Sequence, residues 1–266
     1  MKILAIMLAA VLTLWMGCAM ADGISVNARQ LEMERSLDKR VTNILLLLQD
    51  GEESNLVCVA SMNTANGNAQ MNSIDPSLMV SIPEIGEMPL GKVYSCGNKK
   101  SRGFLVMRTL NRLLGLNLGT YVALDMEMLP QLIDAVDAVE ITPTAEEKRA
   151  LGLEEDTWAL TGEEALAFLR LHIDGEETPN KGYTLMMQLM RQAAEQDLMG
   201  LMGTGKKLLS SMDTNLGIMS AVSLAGSLSG GGEHTEVQLP MPEQIISEDP
   251  LRADAEAMRQ VILGVY

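Results

Sequence analysis

The chain has 266 residues and a formal charge of −15 at pH 7, from 35 Asp and Glu against 20 Lys and Arg. That excess repels nucleic acid and anionic membrane surfaces, and no basic run or arginine-rich helix offsets it, so nucleic-acid binding is set aside. Aromatics make up 3% of the chain and Met accounts for 21 residues, which leaves aliphatic and thioether side chains to fill the core.

Residues 1–21 read as a signal peptide: Lys2 is a short positive region, Ile3 to Met16 an apolar run, and Ala19-Met20-Ala21 a small-x-small cleavage site. The run is shorter than the ~20 apolar residues of a spanning helix. Cleavage ranks first, ahead of an uncleaved anchor and of a lipoprotein modified at Cys18. Cleavage removes one Lys and no acid, so 19 basic against 35 acidic residues give −16. No second segment is apolar and long enough to span a membrane, and the mature chain is expected outside the cytoplasm, secreted or associated with the envelope. Residues 22–40 form a lead-in segment, with a helix expected over 27–39 capped by Asn27. Residues 41–266 form one domain, within the usual size range.

NILLLLQD (43–50) is a short apolar run that suits a buried strand. NLVCVASM (55–62) and AQMNSI (69–74) follow, joined through Asn66-Gly67, a hairpin signal because both residue types tolerate positive φ. They should be antiparallel neighbours. LMVSIP (78–83) is a further extended piece, and the stretch to Gly91 reads as loop. Residues 102–114 have helical apolar spacing, ended by Gly115. TYVALDM (120–126) is a strand, EMLPQLIDAV (127–136) a helix with Pro130 in its first turn, and AVEIT (138–142) a strand.

Thr144 with Glu147 and Thr161 with Glu164 are capping boxes, the second opening a helix through Leu171. Helices are expected over 181–203, 206–212 and 216–228, then a flexible Gly230–Gly232 link, a strand over 236–240 and a terminal helix over 249–265. This order implies an α/β class, a single α/β/α layered domain with a mixed central sheet flanked by helices. Cys58 and Cys96 remain after cleavage. Export permits a disulfide, yet Cys58 falls in an apolar run where free buried thiols are common, so both states stay open. Two cysteines and two scattered histidines have no zinc-ligand spacing. The chain also lacks a Gly-x-Ser-x-Gly elbow and a P-loop.

Several segments, in order over roughly residues 41–228, resemble the LytR-CpsA-Psr (LCP) proteins of bacterial cell envelopes. Gln49-Asp50 stands where that family has Val-Asp. Ser54 with its strand is similar to the family's Arg-Ser-Asp-Thr segment, Ser73-Ile74 to the start of Ser-Ile-Pro-Arg-Asp, and Lys92 to the lysine opening Lys-Ile-Asn. NRLLGLNLGTYVALDMEMLPQLIDAV (111–136) resembles the family's helix–strand–helix stretch, and LTGEEALAFLR (160–170) its Leu-x-Gly-x-x-Ala-Leu-x-Tyr-x-Arg. Gln188-Leu189 looks like the end of its Arg-Gln motif. The resemblance implies transfer of a glycopolymer from a polyprenyl-pyrophosphate lipid to peptidoglycan with Mg2+, the lipid tail lying in an apolar channel beneath the sheet.

On that resemblance Asp50 and Arg170 are the candidate catalytic residues, Lys92, His172 and Gln188 bind substrate, and Asp50 with Asn55 holds the metal. The chemistry explains these types: a pyrophosphate leaving group needs its charge neutralised, arginine supplies a planar fork of donors, and carboxylates hold a hard cation. The chain is short of that charge. Asn55 replaces an aspartate, Glu53 an arginine and His172 the second arginine of an Arg-x-Arg pair; Pro76, Tyr183 and Met187 stand where further arginines are expected. Each lost charge-assisted contact weakens binding by about 1.5–3 kcal/mol. The residues also have ordinary readings: Asp50 ends a strand, and Arg170 near a helix C-terminus complements the dipole. Three functions remain: an LCP-like protein with reduced or lost catalysis, an active transferase drawing cations from Lys99, Arg102 or Arg108, and a secreted acidic interaction protein without a ligand channel.

Overall fold

A computed structural model describes residues 29–98, 101–134, 139–141, 158–173, 212–215 and 233–266, with isolated positions between 145 and 154. The signal peptide, the first capping box, the helices expected over 181–203, 206–212 (all but its last residue) and 216–228, and the Gly230–Gly232 link lie outside the described residues.

The sheet has the strand order β10-β3-β2-β1-β6-β9. Strands β1 (Val41–Asp50), β2 (Glu53–Asn63) and β3 (Ala69–Ile74) form an antiparallel meander. At its second turn Gly67 takes the positive φ of +75° while Asn66 stays outside that region, its side chain instead accepting the Asn68 N–H. Strand β4 (Met79–Ile82) pairs with β5 (Gly86–Pro89), so part of the expected loop is a hairpin. Two 3-10 turns follow, Leu90–Lys92 and Tyr94–Cys96.

Helix α1 (Arg102–Leu114) ends at Gly115, which adopts φ +56° as a left-handed C-cap. Strand β6 (Thr120–Asp125) returns parallel to β1, and after a 3-10 turn, Met126–Met128, comes helix α2 (Leu129–Asp134). Strands β7 (Val139–Ile141) and β8 (Trp158–Leu160) pair before helix α3 (Gly162–Ile173). A short edge strand β9 (Asp213–Thr214) completes one side of the sheet, and β10 (His234–Leu239) runs parallel to β3 on the other.

Alternation along the strands buries both faces of the sheet. Leu45, Leu47, Val57, Val59, Ile74, Tyr121 and Ala123 share one core with Val106, Met107, Leu110 and Leu114 of α1. The intervening residues Ile44, Leu48, Leu56, Cys58, Ala60, Met62 and Leu124 are buried on the opposite side. The α/β class and mixed central sheet follow as the sequence implies.

Two expectations are corrected, and the open question of the cysteines is answered. Residues 29–40 form turns instead of a helix: Glu32 has φ +54°, incompatible with a continuing helix, and the Glu34 N–H bonds the Leu116 carbonyl. The terminal helix is shorter than 249–265. A hairpin of β11 (Ile245–Glu248) and β12 (Leu251–Ala253) precedes α4 (Ala255–Leu263), whose start is fixed by Asp254 accepting from the Glu256 and Ala257 N–H groups. Cys58 and Cys96 are both free, the first buried in β2 and the second exposed in its turn. Burial raises the Cys58 thiol well above its ordinary pKa, leaving it inert.

The glycine of the LTGEEALAFLR segment has a packing reason. Gly162 sits against the backbone of Pro130, where an added Cβ would collide with atoms unable to move aside, and its N–H bonds Asp134 at 2.9 Å. One turn on, the Thr161 N–H and hydroxyl both donate to the Glu164 carboxylate at 2.8 Å, half of the expected reciprocal box. Helix propensity alone would have Gly162→Ala stabilise by up to about 1 kcal/mol. Overpacking, at about 1–3 kcal/mol, outweighs it. Urea denaturation should therefore show the variant destabilised, and an unchanged or raised midpoint would refute this packing.

Candidate functional site

Strands β1 and β6 run parallel with Gln49 opposite Asp125, so their C-terminal ends lie side by side. That edge is where α/β sheets present ligands. Asp50 follows Gln49, half-buried, and faces Glu53 across the turn at Gly51 and Glu52. Leu48 and Gln49 pair with Leu56 and Ser54, leaving Asn55 as the extra residue of a β-bulge. Such a bulge bends the strand and re-aims its side chains.

Lys92, from the first 3-10 turn, reaches Glu53 with Nζ–Oε1 3.2 Å. Arg170 of α3 reaches Glu127, in the turn directly after β6, with Nη2–Oε1 2.5 Å. Asp50, Asn55, Lys92 and Arg170 thus gather at one end of the sheet, although Arg170 meets Glu127 instead of Asp50. His172 lies in the last turn of α3, where side chains are not described, and Gln188 lies outside the described residues.

Carboxylates outnumber cations in this cluster. Asp50, Glu53, Asp125 and Glu127 lie at the same edge as Lys92 and Arg170, and each cation already contacts one of them. Both ion pairs are about half exposed, with side-chain accessibilities between 49% and 65%. Exposed pairs of this kind contribute about 0–1 kcal/mol, so an incoming phosphate could displace either glutamate at little cost. The displaced carboxylates would still repel it.

Beneath the edge lies a second set of polar groups. Gln49 and Ser54 are buried together, the amide donating to the hydroxyl at 2.7 Å, with Gln49 Oε1 unpartnered among the described residues. Asp213 of β9 accepts one hydrogen bond from each of two phenols, Tyr94 and Tyr121, both at 2.7 Å. Thr214 and Asn215 extend the tie: the Thr214 hydroxyl donates to the Tyr121 carbonyl, and the Asn215 amide accepts from the Tyr121 N–H at 2.8 Å and donates to Gly119. Burial first, and then the bonds to Asp213, raise both phenols above their ordinary pKa.

Arg102 lies over the Tyr94 ring, 5.6 Å from its centroid, and its Nε is buried without a partner among the described residues. Arg108 pairs with Glu32. Neither is therefore found paired with Asp50, and Lys99 lies outside the described residues. Sequence reasoning passed over Asp125 and Glu127, although an acid directly after TYVAL is the same signal that marked Asp50. It also passed over Tyr94 and Asp213, for which no local signal existed.

Among the described residues no cluster of three or more Asp, Glu, His or Cys side chains forms a closed metal site. Asp50 and the Asn55 amide nevertheless offer hard oxygen donors. Donors of this type are those Mg2+ takes, in the mode where one or two carboxylates hold it and phosphate oxygens and water complete the shell. A cavity of about 400 Å3 opens beside the start of α1, and neither Asp50 nor Arg170 lines it. No helix of the described residues is long and apolar enough to cross a membrane.

The chain belongs to the LytR_cpsA_psr family, whose sequence profile it matches over residues 19–259. Its fold is similar to that of TagT bound to LIIa-WTA, at TM-score 0.68 and 17% identity, covering 88% of this chain and 93% of that one. It is also similar to YwtF (TagT) with bound octaprenyl pyrophosphate lipid, at TM-score 0.59 and 18% identity, covering 88% and 92%. A third likeness is EF0465 of Enterococcus faecalis, described as a transcriptional regulator, at TM-score 0.65 and 19% identity over 85% and 89%. No curated protein matches the chain.

The Asp213 tie makes a stability prediction. Asp213→Ala leaves two buried hydroxyls without their acceptor, at about 1–3 kcal/mol for each. A phenol whose pKa is raised on folding contributes stability fully below its unfolded value, about 10, and loses it as pH climbs toward the folded value. Urea midpoints should thus fall above about pH 10 in the parent chain. The double variant Tyr94→Phe/Tyr121→Phe should fall less steeply, and identical slopes would count against the assignment.

Proposed function

We propose that this chain is an exported envelope protein that binds a polyprenyl-pyrophosphate-linked glycan at the shared end of β1 and β6, with transfer to peptidoglycan reduced or lost. The leader over residues 1–21 supports the location. Family membership supports the ligand, since the TagT structures hold octaprenyl pyrophosphate and LIIa-WTA.

One observation carries the reduced activity: Lys92 and Arg170 are each engaged by a glutamate, at a sheet edge that also carries Asp50 and Asp125. A pyrophosphate leaving group gains stabilisation only from positive charge positioned where its own charge develops. Here that charge is partly cancelled before the ligand arrives. Mg2+, held by Asp50 with the Asn55 amide, would supply the neutralisation that the side chains lack. Lys92 and Arg170 would then orient the phosphates once their glutamates are displaced, and His172 and Gln188 remain further candidate contacts.

The test is binding of octaprenyl pyrophosphate to the full chain with and without Mg2+, alongside release of the pyrophosphate lipid from a lipid-linked glycan. Arg170→Ala should weaken binding by roughly tenfold or more, the scale of one charge-assisted contact. Glu127→Gln should strengthen it by freeing Arg170, and Asp50→Ala should abolish the Mg2+ dependence. Glycan transfer should stay slow in all of these. Rapid transfer by the parent chain, lost in Asp50→Ala and Arg170→Ala, would contradict the reduced catalysis; absence of lipid binding would remove the site altogether.

A further inference from the structure

The cavity beside the N-terminal turn of α1 does not belong to the strand-end site. Its volume, about 400 Å3, falls within the range of small-molecule pockets. Leu31, Phe104 and Leu105 give it an apolar lining, and Ile85, at the β4–β5 turn, adds a large hydrophobic side chain left 48% exposed. Among the described residues just one other large hydrophobic, Ile246, is as open to solvent. One turn along the same helix from Phe104 stands a cation.

Arg108 lines the cavity, and its charge is poorly matched. The nearby carboxylate, Glu32, is held in bidentate fashion by Arg112, with Nε–Oε2 2.7 Å and Nη2–Oε1 2.8 Å. Arg108 is left with a 3.7 Å contact to a carboxylate already neutralised. Two guanidinium groups therefore share one acid on a chain whose formal charge is −15. A planar guanidinium with five donors is suited to a second carboxylate. Apolar side chains with a half-matched arginine beside them on the same helix select an amphipathic anion over a neutral molecule of equal size.

We propose that this cavity binds a small amphipathic carboxylate, its apolar body lying against Ile85, Phe104 and Leu105 and its carboxylate on Arg108. The site adjoins the turn that carries Lys92, because Cys96 lines the cavity while its thiol contacts the Lys92 carbonyl at 3.6 Å. The proposal does not depend on the polyprenyl-pyrophosphate reading.

Isothermal titration of the full chain with decanoate, decanol and acetate tests it. Decanoate should bind, with decanol and acetate at least tenfold weaker. Arg108→Gln should bring decanoate down to the decanol level, and Ile85→Asp, at an exposed turn position, should weaken decanoate tenfold or more. Octaprenyl pyrophosphate binding should be unchanged in both variants, which keeps this result distinct from that of the strand-end site. No decanoate binding, equal binding of decanol, or decanoate binding indifferent to Arg108→Gln would each overturn the proposal.

Discussion

The parallel pairing of β1 with β6 is the constraint on which the rest depends. Antiparallel strands joined by a hairpin place successive strand ends at opposite edges of a sheet. A parallel pair puts two C-terminal ends at the same edge, and here the register sets Gln49 beside Asp125. Everything attached to those two ends is thereby brought together. Asp50 and the turn to Glu53 follow β1, Glu127 follows β6, and α3 then needs only the length of one arginine to meet Glu127. The Asn55 bulge adds a local change of direction to β2 at the same edge.

Beneath that edge, Asp213 works as a fastener. Its carboxylate holds one phenol from β6 and one from the 3-10 turn after Lys92. The two phenols come from segments 27 residues apart, and the acceptor arrives from the far side of the sequence. Buried hydroxyls without partners are costly, so the three side chains are interdependent: losing the acceptor would penalise both donors. Lys92 stands two residues before Tyr94, and its position is tied to this network more than to its own exposed pair with Glu53.

Much of the fold was legible in the sequence, for reasons tied to particular residues. The apolar run ending at Asp50, the Asn66-Gly67 turn and the helix closed by Gly115 each carry a strong local signal, and each stands where it was expected. The lead-in failed because its helical reading rested on Asn27 as a cap, while Glu32 adopts a backbone that a cap residue does not reveal. Strand β5 and the β11–β12 hairpin were missed because these strands are three or four residues long, too short for alternation to register. The terminal helix was drawn from Asp249, although Asp254 is the residue that caps it.

The site was legible in a different way. A resemblance supplied Asp50, Lys92 and Arg170, and the topology does bring them to one edge. What the sequence could not convey is who partners whom. Where the sequence resemblance expects an arginine, Glu53 stands against Lys92, so on that reading one substitution both removes a cation and occupies another. Glu127 does the same to Arg170 from the next strand over. Charge depletion read residue by residue therefore understates the effect. Because both pairs are exposed and individually weak, the barrier to the proposed phosphate ligand would lie less in breaking them than in the negative charge left behind, and a divalent cation would be the chemically simplest way for a site of this composition to take a pyrophosphate.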